Sequence, residues 1–288
     1  EGHDRPGILG AITAALLAAG LSVVTGHAGL GRGSKVVLDR FVVEPLPDTG
    51  GALPLYKEVK RLLTQSLADG EWQPGVALPS EAKLGERYRV SIGTVRKAID
   101  ELVAERILVR HQGRGTFVAG HSARRTLFHF FHIVPADGGK EQPETELLSF
   151  ARAKADADSV ARLNLAPGAP VFRIRNLLRL RGTPVVLDEI TLPAERFPRL
   201  SEKVFRERDS TIYQLYQERY GINVVRSAER LSAALADRSS AKLLGIAAGS
   251  PLLRIKRTAL TYHNVPVELR TSLVNTAAHE YFSDLGKN

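Results

Sequence analysis

The sequence contains no cysteine and no methionine in 288 residues, and it contains one tryptophan. The lack of cysteine excludes a disulfide framework, a cysteine-ligated zinc site, an iron–sulfur cluster and thiol chemistry. It also fits a reducing compartment, so we expect a cytoplasmic protein. Because even an initiating methionine is missing, we expect the N-terminus to be a fragment.

Long hydrophobic runs are also missing. The most apolar stretch, residues 7–24, is rich in alanine and glycine, and it shows neither a basic leader nor a cleavage site. We therefore expect neither a signal peptide nor a membrane span, and we interpret this stretch as a core helix.

Motifs of catalysis are absent from the sequence. It has no GxSxG elbow, no Walker pattern and no dinucleotide-binding fingerprint, and the pair His279–Glu280 lacks the second histidine of an HExxH zinc motif. We expect no enzymatic activity, no metal and no cofactor.

What is present is ordinary globular composition, with 43% hydrophobic and 25% charged residues. The length suggests two domains and allows a third. The net charge of +9 is spread almost evenly along the chain. This balance permits a nucleic-acid partner, but a moderately basic surface is more often merely solvated, so motifs must decide.

Segments rich in proline and glycine divide the chain into three blocks. The pattern of predicted strands and helices indicates an α+β fold. The predicted divisions are a βαββ segment at 1–46, a linker at 47–52, a helical domain with a hairpin at 53–120, a linker at 121–126 and an α+β domain at 127–285.

Residues 78–118 carry the most specific pattern. Ser80 is placed to cap a short helix, and Ser91 is placed to cap a second helix that runs to about Ala104. Two short helices joined by a tight turn make a helix-turn-helix, whose second helix can enter a major groove. A hairpin with Gly113 and Gly115 at its tip follows, and its backbone could approach DNA closely.

The start of the second helix carries residues suited to DNA. Ser91 and Thr94 offer hydroxyls at a helix N-terminus, where a phosphate is favoured, and Arg96 can reach guanine O6 and N7. Taken one at a time, these residues have a simpler interpretation. Ser91 is only a helix cap, Thr94 is only a helix residue and Arg96 is one of many solvated arginines. The ordered set followed by a glycine-tipped hairpin favours DNA binding.

These residues resemble the GntR family of bacterial transcription regulators, through LPSE at 78–81, Y-x-VS at 88–91, TVR at 94–96 and GRGTFV at 113–118. The resemblance implies a winged helix that works as a homodimer on a palindromic operator. Ala82 and Ile92 stand where many members carry arginine, so we expect phosphate or base contacts to be missing at those two positions. The candidate DNA-binding residues are Lys83, Ser91, Thr94, Arg96, Lys97, Gln112, Gly113, Arg114 and Gly115.

Residues 127–285 resemble the UTRA domain of the HutC branch of this family. The similar stretches are RGTPVVLDEITLP at 181–193, STIYQLYQERYGI at 210–222, residues 233–259 and VPVELR at 265–270. The resemblance implies a fold like that of chorismate lyase and a pocket for a small, often anionic metabolite.

Carried over by position, the candidate effector-binding residues are Asp188, Thr211, Tyr213 and Glu268. Arg175 and Arg179 belong to an alternating row of arginines that could grip a ligand or form a solvated basic face. Asn176 and Leu178 stand where sugar-phosphate-sensing members carry arginines, which argues against a phosphorylated sugar.

The N-terminal block partly resembles an ACT domain, a small amino-acid-sensing module. Residues 2–24 match its first loop, helix and second strand, and residues 36–44 match its third strand. The candidate amino-acid site is His3, Asp4 and Gly7, and the alternative is that this block is remnant sequence.

We therefore expect a ligand-responsive transcription regulator that acts as a repressor, with double-stranded DNA, a small-molecule effector and a second copy of the chain as partners, and no membrane. The alternatives are a chorismate-lyase-like enzyme and a metabolite-binding protein whose DNA-binding part no longer functions.

Overall fold

The computed structural model describes residues 21–30, 36–45, 54–121, 130–137, 139 and 141–283. The chain divides into two compact units, residues 1–54 and 55–288. Within the first unit, strand β1 (Leu21–Leu30) pairs antiparallel with β2 (Val36–Pro45). The predicted helix before β1 and the residues His3, Asp4 and Gly7 lie outside the described residues, so the ACT-like arrangement stays a prediction.

Residues 54–121, here called the head, contain three helices and a hairpin. The elements are α1 (Leu55–Ala68), α2 (Glu81–Tyr88), α3 (Ile92–Ala104), β3 (Leu108–His111) and β4 (Gly115–Val118). The predicted helix-turn-helix and the hairpin behind it are confirmed.

Local sequence explains where the two central helices begin and turn. The Ser80 hydroxyl accepts a hydrogen bond from the Lys83 amide, and the Ser91 hydroxyl accepts one from the Thr94 amide. Arg89 ends α2 in the left-handed conformation, with φ at 54°. Serine caps on both sides of a tight turn therefore fix the angle at which α3 leaves α2.

The core of the head is formed by apolar faces at helical spacing. Leu63, Leu84, Val95 and Leu102 are fully buried. Leu55, which the spacing placed on the buried face of α1, is exposed because it is the first residue of that helix.

Residues 130–283, here called the C-terminal domain, are built on a six-stranded antiparallel sheet in the order β6-β7-β8-β11-β10-β9. The strands are β6 (Glu144–Lys154), β7 (Pro170–Leu180), β8 (Thr183–Pro193), β9 (Arg226–Leu235), β10 (Pro251–Leu260) and β11 (Pro266–Val274). A small second sheet pairs β5 (Ile133–Pro135) with β12 (His279–Tyr281).

Helices cover the main sheet. The helices are α4 (Ala157–Leu163), α5 (Glu202–Arg206), α6 (Ile212–Tyr220) and α7 (Arg238–Leu244). Apolar residues of α5 and α6 pack in one cluster with Phe172, Ile174 and Ile190, whereas α7 packs with Leu177 and Leu187. Because side chains alternate along a strand, these two clusters lie on opposite faces of the sheet. In the part of the chain that the structure describes, no helix is long and apolar enough to cross a membrane.

Candidate functional sites

The first candidate site is the exposed start of α3. Ser91, Ile92 and Arg96 face solvent, and Thr94 is half-buried. The hydroxyls of Ser91 and Thr94 lie 2.9 Å apart. Two hydroxyls and the unpaired amides of the first turn make this helix end suited to a phosphate oxygen.

Arg96 is ion-paired rather than free. Its Nε donates to Oε2 of Glu81 at 2.9 Å, and its second guanidinium nitrogen lies 2.8 Å from the same oxygen. This hydrogen bond raises the pKa of Arg96. Arg110 on β3 contacts the other oxygen of Glu81 at 3.2 Å and also pairs with Asp100. The sequence did not single out Glu81 or Arg110, because their pairing depends on the packing of three separate elements.

The two predicted lysines differ in their surroundings. Lys83 is an exposed residue on α2. Lys97 places its ammonium 4.1 Å from the centre of the Tyr56 ring on α1, a cation–π contact. Lys97 is therefore directed toward α1 even though it is exposed.

The tip of the β3–β4 hairpin is open to solvent. Gly113 and Gly115 have φ values of 71° and 110°, a region that favours glycine. Gln112 and Arg114 are exposed between β3 and β4, and the Arg114 amide donates to the His111 carbonyl at 3.0 Å. The tip thus combines a tight backbone turn with one cationic side chain.

The second candidate site is a cavity of about 300 Å³ in the C-terminal domain, here called the cavity. Its volume lies at the lower end of the range for small-molecule sites. The predicted residues Asp188, Thr211 and Tyr213 line it. Four arginines that the sequence pattern did not indicate line it as well: Arg206, Arg208, Arg257 and Arg270.

Glu268 lies behind the cavity wall and organises it. Its carboxylate accepts hydrogen bonds from the hydroxyls of Tyr213 at 3.2 Å and Tyr216 at 2.7 Å, and from Nε of Arg270 at 2.9 Å. Glu268 is completely buried. Burial, together with the neighbouring Glu268 charge, raises the pKa of Tyr213 to about 12, so this phenol stays a hydrogen-bond donor.

Arg270 links two buried carboxylates. Besides Glu268 it contacts Asp188 at 3.1 Å, and Asp188 also accepts a hydrogen bond of 2.5 Å from the Ser272 hydroxyl. The two carboxylates hold the pKa of Arg270 well above its usual value despite its burial. This network fixes the floor of the cavity through charge-assisted hydrogen bonds.

Arg257 lies directly opposite Arg270 in the pairing of β10 with β11. It pairs with Glu229 at 2.5 Å and donates to the backbone carbonyl of Phe130. The register of this pair brings two arginines from separate strands to one cavity. Sequence spacing alone did not reveal that Arg257 and Arg270 lie opposite each other, although the alternation of side chains along each strand is compatible with this position.

Arg208 contrasts with these paired arginines. It is half-buried, and no carboxylate among the described residues lies within ion-pair distance of it. Its guanidinium donates a hydrogen bond to the backbone carbonyl of Phe205 and lies 4.2 Å from the centre of the Phe205 ring. Burial, and to a smaller extent the charge of Arg270, lowers the pKa of Arg208. It is a cation in the cavity wall that an anion could neutralise.

Asn176 is a polar residue of the cavity whose side chain lacks hydrogen-bond partners among the described residues. It is completely buried, and neither its amide oxygen nor its amide nitrogen has a hydrogen-bond partner within the described part of the chain. Unpaired buried amides are costly and are rare in native proteins. A ligand with a neutral polar group would satisfy this side chain.

The predicted residues Arg175 and Arg179 do not line the cavity. Asn176 and Leu178 of the same strand do line it, so strand alternation turns Arg175 toward the opposite face. Arg179 pairs with Glu146 on β6 at 3.3 Å.

Comparison with known proteins identifies the relationship. The sequence pattern described as "Bacterial regulatory proteins, gntR family" matches residues 55–118, and that of the UTRA domain matches residues 139–280. Members of the first family bind DNA operators, and UTRA domains bind small-molecule effectors.

Relatives of known name are regulators. The chain is 34% identical over 217 residues to the probable fructoselysine utilization operon transcriptional repressor of Shigella flexneri, covering 75% of this chain and 88% of that protein. It is 30% identical over 210 residues to the histidine utilization repressor of Pseudomonas putida, covering 72% of this chain and 82% of that protein. These names do not favour the enzyme alternative.

A solved structure supports the fold of the C-terminal domain. The crystallised ligand-binding domain of a Bordetella bronchiseptica protein assigned to the GntR family matches with a TM-score of 0.52 and 30% identity, covering 55% of this chain and 98% of that one. The chain belongs to the GntR family of bacterial regulatory proteins, as a transcription regulator in which a UTRA domain follows the winged helix.

Proposed function

We propose that this regulator is a homodimeric repressor that binds a palindromic operator through its two heads and takes a small anionic effector in the cavity. The observation that carries this proposal is the β10–β11 hairpin. Its strands contribute Arg257 and Arg270 to the cavity, and its tip contributes Tyr262 to the core of the head. One structural element therefore connects the cavity with the core of the head.

The connection at the tip is specific. The side-chain amide of Asn223 donates to the Tyr262 hydroxyl at 3.0 Å and to the carbonyl of Ala119 at 3.1 Å, just after β4. His263 and Asn264, next to Tyr262, both have positive φ values near 56°. Non-glycine residues in this conformation store strain, which is often found at switch regions.

A second contact joins the cavity to the head. The ring of His121, three residues beyond β4, lies 5.6 Å from the ring of Tyr213 and 5.6 Å from that of Phe130, and both rings line the cavity. The His121 amide donates to the Gln217 side chain on α6 at 2.7 Å. A ligand that moves Tyr213 would therefore act on the chain that leaves the hairpin of the head.

The charge and polarity of the cavity support the class of effector. An anionic group would pair with Arg208 and lie near the N-terminus of α6, and a neutral polar group would satisfy Asn176. The named relatives concern two different compounds, fructoselysine and histidine, so their names do not indicate one effector for this chain.

Regulation then requires a coupling free energy between the two sites. To weaken operator affinity tenfold, an effector must distinguish two arrangements of the heads. It must bind the arrangement that does not bind DNA about 1.4 kcal/mol more tightly than the arrangement that does. For a dimer, the two half-sites should lie about 34 Å apart, one turn of the double helix.

The test is an operator-binding titration in the presence of small anions, with inorganic phosphate, simple carboxylates and phosphate esters as probes. We expect at least one anion that raises the thermal stability of the protein also to change operator affinity. The Arg208→Gln variant should lose the response to that anion while keeping operator affinity in its absence. Anions that bind in the cavity and leave operator affinity unchanged would contradict the proposal, as would a monomer by light scattering when operator is bound.

The route of coupling has its own variant. Replacing Asn223 with alanine removes the contact between the two domains at Ala119 and leaves the cavity intact. We expect the anion to bind Asn223→Ala as before and to change operator affinity less than in the parent.

A further inference from the structure

A single carboxylate connects the three elements that form the predicted DNA surface. Glu81 is the first residue of α2, and its two oxygens contact Arg96 on α3 at 2.8 Å and Arg110 on β3 at 3.2 Å. The side chain of Glu81 is 24% exposed, compared with 60% for Arg96 and 41% for Arg110. The acid is thus anchored, and the two arginines extend from it toward solvent.

The geometry of the Arg96 pair leaves one edge of the guanidinium open. Glu81 occupies the edge formed by Nε and one terminal nitrogen. A guanidinium has five N–H donors, so the edge formed by the two terminal nitrogens keeps its donors. That edge can contact O6 and N7 of guanine together.

Holding the arginine in advance also has an entropic effect. A free arginine loses about 2 kcal/mol of rotamer freedom when it is fixed in one conformation. An arginine already held by Glu81 loses less when it meets a base. Contacts to a phosphate oxygen are less demanding in geometry, so this preorganisation favours base contacts over phosphate contacts.

The negative charge of Glu81 acts in the same direction. It neutralises part of the positive charge that Arg96 and Arg110 would offer to phosphates, and it would lie close to the DNA backbone. Non-specific binding depends almost entirely on such phosphate contacts. Glu81 should therefore weaken binding to arbitrary DNA more than binding to the operator.

We propose that Glu81 is the positioning residue that sets the sequence discrimination of the head, by presenting the outer edge of Arg96 to a base and withholding Arg96 and Arg110 from phosphates. This inference rests on the proposed function, in which the start of α3 enters the major groove.

The chain offers a matched control for this residue. Glu58 also lies in the first turn of a helix and also pairs with an arginine, Arg61, at 2.6 Å. Arg61 belongs to α1, the helix that contacts the Tyr262–Asn264 turn of the C-terminal domain. Burial, and then the charge of Arg61, lowers the pKa of His263 in that turn. Glu58→Gln therefore removes the same charge from the first turn of a helix, but at a place away from the predicted DNA surface.

The experiment compares the parent, Glu81→Gln, Glu81→Asp and Glu58→Gln in the full chain, with operator and random duplex as probes over a range of salt concentrations. In Glu81→Gln we expect the ratio of operator to random affinity to fall by about tenfold, equal to about 1.4 kcal/mol. Affinity for random duplex should rise, and its salt dependence should steepen by about one phosphate contact, because Arg96 loses its partner while Arg110 keeps its pair with Asp100. Glu58→Gln should leave the ratio within about twofold of the parent, a change of less than half a kcal/mol.

The outcomes separate the two proposals. A folded Glu81→Gln variant with the discrimination and salt dependence of the parent would overturn the role of Glu81 and leave the proposed function standing. A parent chain that does not discriminate any duplex from random DNA would overturn the proposed function itself. Partial recovery of the ratio in Glu81→Asp, which keeps the charge on a shorter side chain, is expected if the charge positions Arg96. Equal loss in Glu81→Asp and Glu81→Gln at equal thermal stability would contradict a positioning role for that charge.

Discussion

The head and the C-terminal domain use charged residues in opposite ways. In the head the Arg96–Glu81 pair is largely exposed, with Arg96 60% accessible. In the C-terminal domain the Arg270–Glu268 pair has exposures of 12% and 0%. Exposed pairs contribute about 0 to 1 kcal/mol to stability, so the Arg96–Glu81 pair orients a side chain that DNA can reach and adds little to the stability of the fold. The buried network instead contributes to the fold, because removal of one partner leaves an uncompensated buried charge.

Removal of one arginine from each region should have the largest effect and tests this difference. Arg270→Met leaves the carboxylates of Glu268 and Asp188 buried without their cation, and we expect a loss of about 3 to 5 kcal/mol in the free energy of unfolding of the C-terminal domain. Arg96→Met should leave the free energy of unfolding nearly unchanged, because its pair with Glu81 is exposed to solvent. Urea denaturation followed by circular dichroism measures both. Equal losses in the two variants would contradict the distinction.

A smaller effect is expected for one hydrogen bond of the buried network. Tyr216→Phe removes the hydroxyl that donates to Glu268 at 2.7 Å. Because the acceptor is a buried carboxylate, we expect a loss of about 1.5 to 3 kcal/mol in unfolding free energy. Tyr220→Phe, a change of the same kind on the half-buried end of α6, serves as the control and should be nearly neutral.

For the head, the expected effect is on DNA and not on stability. Arg96→Ala should lower discrimination between operator and random duplex by about 1 to 3 kcal/mol, while folding and dimerisation stay unchanged. Competition binding at a fixed salt concentration measures the discrimination. Equal affinity of variant and parent for the operator would remove Arg96 from the recognition surface.

The smallest effect concerns an exposed carboxylate of the C-terminal domain. Asp156 caps α4 by accepting a hydrogen bond from the Ser159 amide at 2.8 Å. Hydrogen bonds from Ser159, and the charge of Arg173, lower the pKa of Asp156 to about 2. The carboxylate therefore stabilises the fold above its ordinary pKa of about 3.9, and this stabilisation is lost as the pH falls from there toward 2.

The variant Asp156→Asn tests this sign, because asparagine can still cap the helix. We expect a loss of about 0.5 to 1 kcal/mol at pH 6, after allowance for solvent screening of this exposed group. The difference between variant and parent should shrink toward pH 3, as measured by denaturation at both pH values. A difference that grows on acidification would contradict the assignment.

The head could be predicted from sequence because local signals determine it. Ser80 and Ser91 are caps with an immediate structural consequence, and the buried residues Leu84 and Val95 follow from helical spacing. The bridge from Glu81 to Arg96 and Arg110 was not predictable, because it joins residues that are 15 and 29 positions apart through the packing of three elements.

The cavity shows where sequence reasoning fails for a related reason. Asp188, Thr211 and Tyr213 were placed by resemblance, and they do line the cavity. Arg257 and Arg270 were missed because only the register of β10 with β11 places them opposite each other. Arg175 was proposed from its alternation with other arginines, yet alternation itself places it on the face away from the cavity.

The most direct test of the account is selection of bound sequences from a random duplex pool by the purified chain at physiological salt. The account predicts enrichment of a palindrome whose half-sites are about 34 Å apart, with a guanine at the position that loses discrimination in Arg96→Ala. A folded, dimeric chain that enriches no sequence, with and without the anion that stabilises it, would contradict the claim that the head reads DNA.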